Sequence, residues 1–194
     1  MGAGRVAAID GEHFEELMVD LDAVVLEVIS ALDREPTLWT RGRPGKWTAG
    51  QHVTHLSITL GATLSPLQEL ARVLEYEGSV PPRPRRGFLE FVWVFVAIRR
   101  GKLPRGGRTP RHFEPPPLDY PKSGTRETSI DGLRRKVDAY HALGARFTPE
   151  QRDRLWIPNP FHPRWHYTFP EILRVHAVHI RHHTGLIREI PSGG

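Results

Sequence analysis

The chain contains no cysteine. That excludes disulfides, thiolate nucleophiles and cysteine-type zinc sites, so a transition metal would have to be held by imidazole and carboxylate. Long apolar runs are also missing. The longest, Phe88 to Ile98, is interrupted by Glu90 and falls well short of the ~20 residues that cross a bilayer. The N-terminal stretch MGAGRVAAIDGEHFEE has no apolar segment of signal-peptide length, and Val6 stands where a myristoylation signal needs serine or threonine. These absences predict a soluble, cytoplasmic protein with no transmembrane segment. No Asn-Gly or Asp-Gly pair joins two alternating apolar runs, so no β-hairpin is expected.

At 194 residues the chain is the size of one domain, spanning 1–194. Its net charge of +5 is unevenly placed. From Arg83 to Arg111 there are nine basic residues and a single acid, Glu90, while the remainder has 18 basic and 21 acidic residues. The high isoelectric point therefore belongs to one segment. That segment is broken by prolines and contains no recognition-helix pattern, which argues against nucleic acid as a partner.

Helical periodicity dominates the rest. Apolar residues recur at helical spacing from Gly11 to Asp33 (Phe14, Leu17, Leu21, Val25, Val28 and Leu32 among them), giving a first amphipathic helix. Pro36 to Lys46 reads as a loop with Trp39 tucked beneath it. Thr48 and Gln51 form a capping-box pattern that starts a second helix, running to Glu77 and stopping at Gly78, with a kink or break expected at Pro66. Residues 78–122 read as a basic, proline-rich insertion containing one short apolar helix around Gly87 to Arg100, with a strand as the competing reading. A third helix is expected over Thr128 to Phe147, with Tyr140, His141 and Leu143 on its apolar face. Thr148-Pro-Glu-Gln opens a short one, and WIPNPFHPRWHY reads as a loop. Thr168, with Glu171 three residues on, caps a last helix ending near Pro191. Four long helices with almost no strand predict an all-α fold, a four-helix bundle.

The last helix carries HAVHIRHHTG, residues 176–185, with four of the eleven histidines. His179 and His183 are one turn apart, the separation at which two imidazoles grip one metal ion. His176 lies within roughly 60° of both around the helix axis, and His182 points aside to the surface. On the second helix His55 sits inside the apolar stripe. If the two helices are neighbours, His55 meets His179 and His183 across the core, and three neutral imidazoles with an open position make a catalytic zinc-type site. His176 and His52 are candidates for orienting the ligands or transferring protons. A single histidine on an apolar face is more often a satisfied core residue, and His52, His141 and His166 carry that alternative reading.

Two stretches resemble the signatures of the DinB/YfiT-like superfamily. Trp47-Thr-Ala-Gly-Gln-His-Val-Thr-His55-Leu matches that family's Trp-[Ser/Thr]-x-Gly-x-x-x-x-His-Leu pattern, and His179-Ile-Arg-His-His183-Thr-Gly185 matches its His-x-x-His-His-x-Gly pattern. Leu186 departs from the family, which commonly has Gln there, and the insertion is longer than in a minimal member. The resemblance implies up-down-down-up connectivity, with 78–127 as the long crossover, and places the metal ligands on His55, His179 and His183. It further implies a divalent ion (Zn, Ni or Fe), activation of water or of a low-molecular-weight thiol cosubstrate, and a hydrolase or thiol-dependent transferase acting on a small molecule. The arginines of the insertion would suit an anionic substrate. The alternative is a non-catalytic, metal-stabilised bundle, homodimeric, that binds a protein partner or an anionic membrane surface through the basic insertion.

Overall fold

A computed structural model describes residues 14–99, 101, 109–117 and 125–191. The expected start of the first helix at Gly11 and the basic residues 100, 102, 105 and 108 lie outside the described residues. The described chain is mostly helical: α1 (Phe14–Arg34), α2 (Ala49–Glu77), α3 (Phe88–Trp93), α4 (Arg126–Ala145), α5 (Pro149–Arg154) and α6 (Phe169–Arg188). Among the described residues no helix is long and apolar enough to cross a membrane.

The periodicity of α1 delivers its buried face: Leu17, Leu21, Val25, Val28 and Leu32 all lie in the core. α1 packs on α6 and on α4, and α2 packs on α4 and on α6. The long helices thus bury their apolar stripes against one another, which removes from water most of the surface that drives folding. The stretch expected as a loop opens with a 3-10 helix, Pro36–Thr40, and Trp39, half-buried within it, packs on α2 with its indole 2.8 Å from where a Cβ on Gly50 would stand. Only glycine admits that approach.

Capping residues set the helix limits. Thr48 and Gln51 cap α2 reciprocally, and Gly78 ends it in the left-handed conformation at φ 70°. No break occurs at Pro66. Pro66 lies on the exposed face, where the carbonyl freed one turn earlier can be solvated, so α2 continues through it. α4 begins earlier than the periodicity predicted, because Thr125 and Thr128 cap each other, and it ends at Ala145 instead of Phe147. His141 is exposed and pairs with Asp22, contrary to the core position expected for it. It lies one residue past the buried stripe of Leu133, Val137 and Tyr140, and so is turned about 100° out of it.

The insertion helix is a helix and not a strand: α3 continues into a π-helical turn, Val94–Arg99, that packs on α6. The stretch expected as a loop is a hairpin, with β1 (Trp156–Asn159) antiparallel to β2 (His162–Thr168). Its signal is Asn159, whose Oδ1 accepts from the backbone N–H groups of Phe161 (2.8 Å) and His162 (3.2 Å) and so closes the turn in place of a glycine. Pro158 lies opposite His166, whose N–H turns out of the ladder onto Glu90, so the missing N–H of Pro158 breaks no ladder bond.

A buried polar network fastens α3 to this hairpin. Glu90, 3% exposed, accepts from the backbone N–H of His166 (2.7 Å) and lies 3.0 Å from His166 Nδ1. Arg86 forks onto both carboxylate oxygens of Glu171 and lies 3.6 Å from Glu90. Glu171 in turn caps α6 through the Thr168 N–H at 2.9 Å. Two buried carboxylates are thereby matched by one guanidinium and one imidazole.

Candidate metal centre

The capping box at Thr48 starts α2 one turn ahead of His52 and two ahead of His55, and the box at Thr168 sets the register that turns His179 and His183 inward from α6. Because α2 and α6 pack together, the three imidazoles meet. His55, His179 and His183 each offer one ring nitrogen, all within 4.8 Å of one another. His55 Nε2 lies 3.2 Å from His179 Nε2, and His183 Nε2 lies 3.0 Å from His179 Nε2.

The outer nitrogens determine what those inner ones are. His55 Nδ1 donates to the carbonyl of Phe113 at 2.8 Å, so the neutral ring has a bare lone pair on Nε2. His183 Nδ1 lies 2.7 Å from His52 Nδ1. When His183 donates in that pair, its Nε2 is also bare. Lone pairs facing at this range repel unless a proton or a cation lies between them. Four-coordinate imidazole ligands at 2.0–2.1 Å from an ion would be separated by about 3.3 Å, close to the spacing found here. The donor set fits a divalent transition ion.

Electrostatics point the same way. Burial, followed by repulsion from neighbouring histidines, holds His179 and His183 well below the ordinary imidazole range. Burial lowers His55 too, partly offset by its bond to Phe113. His52 is pushed down to about 4 by burial and then by His55 and His182. All four rings are therefore neutral near pH 7, the form that ligates metals. His55 and His183 are buried, while His179 is only partly so and marks the open side of the cluster.

Of the two further candidates, the structure brings one to the cluster. His52 bonds His183, as above. His176 instead lies 2.6 Å from Thr63 Oγ1 and 3.3 Å from Tyr140 Oη, with no hydrogen bond to the three clustered histidines among the described residues. It points into a hydroxyl pair, Thr63 and Tyr140 at 2.6 Å, and burial lowers its pKa to about 3. His182 is exposed, as expected, and His166 belongs to the Glu90 network.

Two contributors were not read from the sequence. Trp47, in the family-like motif, packs against the rings of His55 and His183 at 4.9 and 6.1 Å between centroids. Phe113 supplies its carbonyl from a 3-10 turn in the insertion (Arg111–Phe113); a backbone group carries no sequence signal. Beside Trp47 lies a half-open cavity of about 590 Å³, also lined by Thr109, Pro110, Arg111 and Glu114.

No protein-family model matches the chain, and neither a curated protein nor a solved structure matches it.

Proposed function

We propose that the chain is a divalent-metal enzyme of the DinB/YfiT-like kind, a four-helix bundle in which His55, His179 and His183 hold the ion. The cycle of contacts from α1 to α6, α2, α4 and back to α1 supports the bundle, and the long segment between α2 and α4 suits an up-down-down-up crossover. The single observation that carries the reading is the convergence of three imidazole nitrogens, with two rings oriented from outside by the Phe113 carbonyl and by His52. A divalent ion at such a site lowers the pKa of a bound water or small thiol toward neutrality and so supplies a nucleophile. His55 and His183, oriented from outside, would hold the ion together with His179; His52 accepts the outer hydrogen bond of His183, and Trp47 walls off solvent on one side. Arg111, lining the adjacent cavity, provides a positive charge for an anionic small-molecule substrate. The cytoplasm is the proposed compartment.

Elemental analysis of purified protein tests the core of the proposal. About one equivalent of transition metal is expected in the wild type and little in His55→Ala; equal metal content in both would remove it. Cobalt-loaded protein titrated with a small thiol or with azide should change its visible spectrum, because an enzyme of this kind needs an exchangeable ligand position. An unchanged spectrum would leave a structural metal only.

A further inference from the structure

The insertion helix is turned inside out relative to an ordinary surface helix. Its polar residue, Glu90, points inward together with Val94 and Ile98 at successive i, i+4 positions, and all three are buried. Its outward side exposes Phe88 (79%), Leu89 (72%), Phe91, Val92, Phe95 and Val96. Six large apolar side chains on three turns exceed the scattered apolar residues of a typical surface. Exposed apolar faces of this kind mark interaction sites.

Charge identifies the chemistry of that partner. The one acid between residues 83 and 111 is Glu90, and it is withdrawn into the network with His166 and Arg86. What the described part of this segment shows to solvent is apolar side chains and cations, with Arg83 and Arg85 exposed just before the helix. An apolar face flanked by arginine, on a helix too short to span a bilayer, has the composition of an in-plane interfacial anchor. A second copy of this chain would instead bring two like-charged flanks together. The helix is also held firmly enough to present its face: the Glu90–His166 bond and the packing of Trp93 on Trp165, at 6.0 Å between centroids, tie it to the hairpin. Arg164 of that hairpin is exposed as well.

We infer that α3 and the π-helical turn after it dock the protein on an anionic lipid surface, inserting Phe88, Leu89 and their outward neighbours below the headgroups while Arg83 and Arg85 contact the lipid phosphates. This surface is distinct from the histidine cluster and does not depend on its metal.

Cosedimentation of the full chain with vesicles tests this, using phosphatidylcholine alone and phosphatidylcholine mixed with phosphatidylglycerol. The wild type should bind the anionic vesicles and not the neutral ones, with binding weakened by salt. Phe88→Ser/Leu89→Ser should lower the partition at least tenfold, the loss expected for two side chains kept out of the acyl region. Arg83→Ala/Arg85→Ala should lower it roughly 25-fold, about fivefold per arginine. Val19→Ser/Leu26→Ser, exposed apolar residues on α1, should bind as the wild type does. All four residues changed in the first two variants are exposed, so circular dichroism should show wild-type helicity. Absent binding, equal binding to neutral vesicles, or unaltered binding by the Phe88/Leu89 variant would overturn the inference. So would a wild-type dimer in sedimentation velocity that Phe88→Ser/Leu89→Ser makes monomeric while vesicles bind neither, which would assign the face to a second copy.

Discussion

His55 Nδ1 donates to the carbonyl of Phe113 at 2.8 Å, across 58 residues of sequence. This one bond places the proton of His55 on its outer nitrogen and leaves the inner one free to ligate. It also makes the insertion part of the site, since Phe113 lies in the 3-10 turn that follows the basic stretch. Phe113 is itself buried, with its ring against Phe161 at 4.5 Å between centroids. Phe113→Ala, which loosens that turn, should weaken metal affinity about 10- to 100-fold, while Phe113→Leu should stay within a few-fold of wild type. Competition with a chromophoric chelator measures both. Equal affinities in the two variants would separate the turn from the site.

His52→Ala should act as a lesser version of His55→Ala. Removing the partner of His183 Nδ1 is expected to weaken metal binding by about 10- to 100-fold without abolishing it, whereas losing one of the three proposed ligands should leave the metal at trace levels after dialysis. His182→Ala, on the exposed side of α6, should bind as wild type.

His176 makes the metal-free fold acid-sensitive. Its pKa is about 3 in the fold because it is buried, against 6.5 when unfolded. Below pH 6.5 the unfolded chain takes up a proton that the fold refuses, so this contribution is intact above that pH and is lost as pH falls toward 3. The slope from one such group is about 1.4 kcal/mol per pH unit inside that window. His176→Gln should therefore flatten the fall of urea-unfolding free energy between about pH 6 and pH 4 by that amount. A slope identical to wild type would show that the ring already takes its proton in the fold.

Arg86→Ala should destabilise the chain strongly, by about 3 kcal/mol in urea unfolding, because it leaves Glu171 and Glu90 buried with a cation removed. Arg86→Ala/Glu171→Gln should recover part of the loss by removing one uncompensated charge. A single-variant cost below about 1 kcal/mol would mean that water reaches these carboxylates.

Thr63→Val keeps the shape of the side chain and removes the hydroxyl that Tyr140 and His176 share. A loss of about 1–3 kcal/mol is expected, since two buried polar groups each lose a partner, with metal content unchanged. Reduced metal content would tie His176 to the site after all.

Much of this molecule was legible in the sequence because the information is local. The heptad-like recurrence from Phe14 to Leu32, the capping boxes at Thr48 and Thr168, the proline-led start after Thr148, and Gly78 as a stop each depend on residues within one or two turns, and the helices follow from them. The i, i+4 spacing of His179 and His183 is local too, and it placed both on one face. What sequence could not decide depends on approach between distant segments. That His52 bonds His183 while His176 turns to Thr63 and Tyr140 is set by how α2, α4 and α6 pack, since all of these histidines lie on apolar faces. The hairpin at 156–168 carries no Asn-Gly or Asp-Gly signal, because its turn is closed by an asparagine side chain. The partner of His55 is a backbone carbonyl, a group that every residue possesses. The direction in which α3 faces rests on where Glu90 finds a counter-charge, and that lies 76 residues further along, in a strand that only the fold brings beside it.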